Sequence, residues 1–196
     1  MESVQLEIFF NFRSPYCYLA SKRMFNLLDD FRVELAWRPL GGWNGRSPPE
    51  RAKFKVPLAR QDVGRFARRM GIPYVPPPKT TEPTSAGAVS LLAQERGVLR
   101  EYVIEVMRTE WADGRDIGDL DVLGAVAERV GLERAATLAA AKDPARLAVL
   151  TANWARAQER NIFGVPTFVV GDEIFWGQDR LDFVREHLTE LRLARL

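Results

Sequence analysis

Cysteine and histidine are nearly absent from this chain, which carries one of each, Cys17 and His187, in 196 residues. A single cysteine excludes an internal disulfide and fits a reducing compartment. The lone histidine lies within a C-terminal helical pattern, so no histidine-based triad or metal cluster can be assembled around it, and it reads as a surface residue. An excess of one charge is lacking too, because 28 Lys and Arg offset 26 Asp and Glu to leave a net +2. Basic residues alternate with acids instead of forming a stripe with interleaved aromatics, which argues against a nucleic-acid partner. No run reaches the roughly 20 apolar residues needed to span a bilayer. The first residues, MESVQLEIFF, show neither a basic n-region nor the apolar stretch of a signal peptide. The expectation is a cytoplasmic protein without membrane attachment. Repeats and long low-complexity segments are also missing.

What is present is core material: 46% of the residues are hydrophobic, enough for one domain or a small domain with an insertion. QLEIFF (5–10) is an apolar run of strand length. Ser14 follows as a candidate helix N-cap with Pro15 at the first helical position, where its missing N–H is harmless. Tyr18, Leu19, Met24, Leu27 and Leu28 mark a helical face, and RVELAWRP (32–39) alternates as a second strand. GGWNGRSPPE (41–50) is a loop, and a helix through Val63, Phe66, Ala67 and Met70 comes next. The proline-rich IPYVPPPKTTEPT (72–84) cannot be helical. Helical faces then recur at Leu99–Trp111, Leu123–Val130 and Leu147–Ala157. Two short strands, Thr167–Val170 and Glu173–Trp176, flank a Gly171-Asp172 hairpin turn, and Asp179 is placed to cap a last helix through Leu181, Val184, Leu188 and Leu191. The order β-α-β, helical block, β-β-α predicts an α/β thioredoxin-like fold with a large all-helical insertion. Residues 1–40 and 145–196 would form the thioredoxin-like part, and residues 41–144 the helical domain.

SPYCYLA near the start, KVPLARQDVGRFARRMGIP in the middle, EWADGRDIGD (110–119) and NIFGVPTFVVGDEIFWGQDRLDFV near the end resemble the 2-hydroxychromene-2-carboxylate isomerases. These are relatives of the kappa-class glutathione transferases and of DsbA-type oxidoreductases. The resemblance runs essentially end to end. It implies a cis proline at Val165-Pro166, beside the Ser14-Pro15-Tyr16-Cys17 turn, and glutathione or another low-molecular-weight thiol as cofactor. A Cys-x-x-Cys at a strand-to-helix junction would exchange disulfides; with serine first, the helix N-terminus can instead stabilise a thiolate supplied by the cofactor. Ser14 is thereby the implied catalytic residue, its hydroxyl donating to the sulfur. The resemblance places Val165 and Pro166 against the cysteinyl part of glutathione, and Gln178 and Asp179 at its γ-glutamyl end. The family's lysine, in Lys-x-x-x-x-x-x-Asp spacing, falls on Lys55 ahead of Asp62, where it can serve a carboxylate.

The implied activity is cis–trans isomerisation of 2-hydroxychromene-2-carboxylate or a similar aromatic carboxylate by reversible thiolate addition. Many relatives carry Asn in a Gly-Asn-x-Pro-Pro loop; here Arg46 takes that place, with Asn44 two positions earlier, so both enter as substrate-binding residues. Many relatives also carry serine where Cys17 stands, and Cys17 reads as a packed, inert thiol. Trp43 and Trp176 read as packing residues. Asp113, Arg115 and Asp116 either edge the pocket or stop and restart a helix. The alternatives are a kappa-like transferase or peroxidase, a redox protein using Cys17, and a binding module without catalysis. The resemblance also suggests a homodimer.

Overall fold

The structure is a computed structural model that describes residues 4–42 and 48–195. Its sheet is built around β1 (Val4–Phe10), where Leu6, Ile8, Phe9 and Phe10 have no solvent exposure. Apolar residues on both faces are what a strand covered on two sides requires. β1 pairs in parallel with β2 (Val33–Pro39) and antiparallel with β3 (Thr167–Val170), which pairs antiparallel with β4 (Glu173–Trp176). The sheet order is therefore β2-β1-β3-β4 among the described residues. Gly171, at the turn between β3 and β4, has φ 59°, which suits the tight hairpin read from the Gly-Asp pair.

Nine helices punctuate the described residues: α1 (Pro15–Ser21), α2 (Asn26–Asp30), α3 (Pro49–Met70), α4 (Thr84–Glu95), α5 (Leu99–Trp111), α6 (Leu120–Arg129), α7 (Arg134–Ala140), α8 (Pro144–Glu159) and α9 (Leu181–Glu190). Alternation along β1 sends Leu6, Ile8 and Phe10 into the larger core, with α1, α4, α5 and α9. Phe9 points the other way, to Leu40, Val169 and Ala157 of α8. Fully burying each such phenylalanine is worth about 2–3 kcal/mol. The result is the thioredoxin-like α/β fold, with α3 to α7 entering the chain between β2 and α8.

Two details depart from the pattern read in the sequence. The helical face from Tyr18 to Leu28 does not belong to one helix. Ser21 Oγ donates to the Tyr18 carbonyl at 2.7 Å, and the following amides bond three residues back, Arg23 to Ala20 and Asn26 to Arg23. A serine competing for a backbone carbonyl and a tightened turn split the segment into α1 and α2. His187 is half-buried, its ring 5.8 Å from that of Phe175, so it packs on β4 instead of facing water. No helix among the described residues is long and apolar enough to cross a membrane.

One charge sits inside this frame. Glu7 of β1 shares the Phe9 face and is 4% exposed, and it accepts hydrogen bonds from Arg156 of α8 at 2.6 and 2.8 Å and from Arg38 of β2 at 2.9 Å. The Arg156 bonds, with help from Arg38, hold its carboxyl below the usual carboxylate range.

Candidate active site

The strand-to-helix loop after β1 is fixed from several sides. Asn11 donates through Nδ2 to the Leu40 carbonyl at 3.1 Å, and its Oδ1 accepts the Arg13 amide at 2.8 Å. The Ser14 amide donates to the Asn11 carbonyl at 3.0 Å. Trp111, the last residue of α5, donates its indole N–H to the Phe12 carbonyl at 3.2 Å. Ser14 itself is extended (φ −89°, ψ 120°) and caps α1, its Oγ accepting the Cys17 amide at 3.3 Å, with Pro15 opening the helix. The cap and the proline stand as the sequence predicts.

Ser14 Oγ also lies 3.4 Å from the Val165 carbonyl oxygen, a long and therefore weak hydrogen bond from a hydroxyl that can rotate. The Val165-Pro166 bond is cis. The Pro166 carbonyl accepts the Gly177 amide at 2.9 Å, so the segment before α9 is drawn against the same loop. Gly177 has φ 116°, outside the range most side chains accept, and a Cβ there would stand 2.6 Å from Asp179 Oδ1. Gln178 is buried, while Asp179 is 47% exposed and pairs with Arg180 at 2.9 Å. Asp179 is not the cap expected of it: residues 178–180 form a 3₁₀ turn, and neither that turn nor α9 has a side-chain cap. The tightened turn places Asp179 ahead of the helix with its carboxylate turned to Arg180.

The structure thus brings Ser14, Val165, Pro166, Gln178 and Asp179 to one place. Lys55 is exposed on α3, seven residues before Asp62, about 10 Å along the helix and on the same face. Asp62 reaches the site: its Oδ2 accepts the Tyr16 hydroxyl at 3.0 Å. Burial, then that hydrogen bond and the Asp62 charge, with a smaller push from Asp179, raise the Tyr16 phenol to about 12. Asn44, Arg46 and Trp43 lie outside the described residues.

Cys17 is fully buried, and burial pushes its thiol up to about 12 against the lowering effect of its contacts with Asn11 and Ser14. A thiol so placed is neutral near pH 7 and a poor nucleophile, as the inert reading expects. Trp176 packs on the loop before β3, not in the core. It is 54% exposed and meets the Phe163 ring edge-on at 4.6 Å. Asp113 pairs with Arg108 at 2.7 Å, and Asp116 Oδ1 accepts the Gly118 amide at 2.8 Å, so both serve the turn between α5 and α6. No group of three or more metal-ligating side chains occurs among the described residues.

Reading by sequence missed Tyr16, Arg13 and Glu110 at this site. Glu110 did carry a signal. It lies three residues after Met107 and seven after Val103, on the apolar face of α5, where a charge is out of place.

A strand-to-helix loop capped by serine, facing a cis proline across a mixed sheet, defines a class. The chain belongs to the family of DSBA-like thioredoxin domains, whose model matches residues 5–189. Within that class it is similar to the 2-hydroxychromene-2-carboxylate isomerase of Sphingobium xenophagum, 27% identical over 194 residues, or 94% of this chain and 98% of that one. The enzyme of the same name from Pseudomonas putida is 30% identical over 186 residues, 90% of each chain. A solved structure of 2-hydroxychromene-2-carboxylate isomerase superposes with a TM-score of 0.81 at 28% identity, covering 95% of both chains.

Proposed function

We propose that this protein is a thiol-dependent isomerase of 2-hydroxychromene-2-carboxylate or a closely similar aromatic carboxylate, with glutathione or another low-molecular-weight thiol as cofactor. The relatives named above support the substrate class. The observation that carries the thiol chemistry is the exchange of roles in the α1 turn. A serine occupies the accessible first position beside Val165-Pro166, and the chain's only cysteine is buried behind it.

The residues present fit such a cofactor. Ser14 Oγ accepts the Cys17 amide, and its own proton is given only to a long, weak bond to the Val165 carbonyl, so it can turn and donate to a sulfur. Val165 offers backbone groups to the cysteinyl portion, while Gln178 and the half-exposed Asp179 face the γ-glutamyl end, Asp179 pairing with its amino group. Lys55 serves a carboxylate; Asn44 and Arg46, which the family resemblance assigns to the substrate, lie outside the described residues. When bound, the cofactor supplies a thiolate that adds reversibly to the conjugated substrate, so that a double bond can rotate as a single bond. Ser14 favours the charged sulfur at the start and end of the cycle. Buried Cys17 cannot trap that sulfur as a mixed disulfide, which argues against a redox protein.

Turnover of 2-hydroxychromene-2-carboxylate with reduced glutathione tests the proposal. Ser14→Ala is expected to lower it by about 100-fold or more, the scale seen when one donor to a developing anion is removed. Unchanged turnover in Ser14→Ala would overturn the thiol-activation role.

A further inference from the structure

The first half of α3 stands away from the body of the protein. Val63 is the first buried residue of the helix, and none of residues 49–61 is buried. This half is also the one least able to hold its own shape. Pro57 lies inside it and has no amide to give to the Lys53 carbonyl, so one rung of the helix is missing. Its charge is lopsided, with Arg51, Lys53, Lys55 and Arg60 against Glu50 over residues 49–61. A helical segment so exposed and interrupted depends on a tether to the rest of the fold.

Tyr16 supplies a tether where the exposed half ends. Its ring packs partly on the larger core, and its hydroxyl donates to Asp62 Oδ2 at 3.0 Å. Raised to about 12, chiefly by burial, the phenol keeps its proton through the neutral range and stays a donor. Tyr16 is the second residue after Ser14, so the bond ties α3 to the turn that carries the Ser14 hydroxyl. The charge of α3 is felt at that turn. Arg60 adds positive potential at Arg13, directly before Ser14, and at Tyr74, and Asp116 offsets part of it at Arg13.

We propose that the Tyr16–Asp62 hydrogen bond is a latch that holds this cationic arm beside the Ser14 turn, so that the site favours a thiol bearing an extra negative charge. Tyr16 is thereby a positioning residue, acting through α3 instead of through contact with the sulfur. The attraction is a field summed over Arg51, Lys53, Lys55 and Arg60, screened by salt, and it does not depend on any one of them bonding the ligand. Unlatched, the arm swings and the field moves with it. This inference rests on the thiol cofactor proposed above.

Two measurements on the full chain test it. Hydrogen exchange reads the latch without any ligand. Tyr16→Phe should speed exchange of the amides of residues 53–62 by about five-fold, the scale of one lost hydrogen bond, and leave those of 63–70 unchanged. Asp62→Ala should do the same, and Tyr16→Phe should add nothing in the Asp62→Ala background. Calorimetric titration reads the consequence, with reduced glutathione and with its glycine monoethyl ester, which carries one negative charge fewer. The parent should bind glutathione about three- to five-fold more tightly than the ester in low salt, and Tyr16→Phe should bring the two within about 1.5-fold. A merely structural role for Tyr16 would weaken both thiols alike. Asp62→Ala serves in both measurements if the phenylalanine variant fails to fold. Unchanged exchange in Tyr16→Phe, equal affinities in the parent, or a preference that survives Tyr16→Phe would each overturn the proposal. No binding of either thiol would overturn the cofactor reading and this proposal with it. Isomerase turnover together with a Tyr16-independent preference would overturn the latch alone. A Tyr16-dependent preference without turnover would overturn the isomerase reading and leave the latch standing.

Discussion

Glu7 on the central strand and Glu110 near the end of α5 are both buried, yet their surroundings push the two carboxyls in opposite directions. Glu7 accepts hydrogen bonds from two arginines, led by Arg156, and is held below the usual carboxylate range. Glu110 has one cation at 3.8 Å and no hydrogen bond among the described residues, and burial drives it upward. Glu110 is the more deeply buried and Glu7 is the one with arginine hydrogen bonds, so desolvation wins at Glu110 and hydrogen bonds to the charged form win at Glu7. The comparison also separates two uses of an internal acid. Glu7 ties β1, β2 and α8 together as a structural knot, whereas Glu110 stands beside the loop of Ser14, where burial pushes its carboxyl upward.

The largest expected effect comes from breaking the structural knot. Glu7→Ala should destabilise the protein by about 3 kcal/mol, the lower end for removing one member of a buried pair, because Arg156 and Arg38 are exposed enough to rehydrate. Urea unfolding at pH 7 measures this. The two acids should also give opposite pH slopes. Glu7, lowered in the fold, contributes stability that is present above its unfolded value of 4.5 and is lost as pH falls through its folded value. Glu110, raised in the fold, contributes stability that is fully present below 4.5 and is lost as pH rises through its folded value. Glu110→Gln should therefore change stability at pH 4 by no more than about 1 kcal/mol. It should gain on the parent as unfolding is repeated at higher pH; a difference between the two that stays constant with pH would show that Glu110 does not titrate abnormally. The smallest effect belongs to Cys17. Its thiol should resist a disulfide reagent in the native protein at pH 8 and react at once in denaturant, and Cys17→Ala should keep glutathione-dependent turnover within about two-fold. Rapid labelling of the native protein would reopen the redox reading.

The central strand, the Ser14-Pro15 start of α1 and the 167–176 hairpin were legible in the sequence, because each is set by local chemistry: apolar alternation, an oxygen to cap, a turn pair. The division of the helix after Cys17 was not, since it depends on one Ser21 hydroxyl choosing the Tyr18 carbonyl. The cap assigned to Asp179 failed for a similar reason, a single tightened turn in front of α9. Among site residues, Ser14, Val165, Pro166, Gln178 and Asp179 converge because the pairing of β1 with β3 brings both ends of the chain together. Arg13 and Glu110 lie 97 positions apart, and their meeting is a product of how α5 packs on the loop. A charge on an otherwise apolar helix face was the only local sign of it.

The pairing of β1 with β3 has a consequence for how the chain comes to be folded at all. β1 leaves the ribosome well before β3, its partner on one side, made of residues 167–170. Until then a strand with apolar side chains on both faces has only β2 to join, and its other edge stays open to strangers. A contact of such high sequence separation is slow to form and exposes the intermediate to aggregation. Synthesis and folding are thus uncoupled between β1 and β3, and the Ser14 loop reaches its place beside Val165-Pro166 only once that late hairpin has been made.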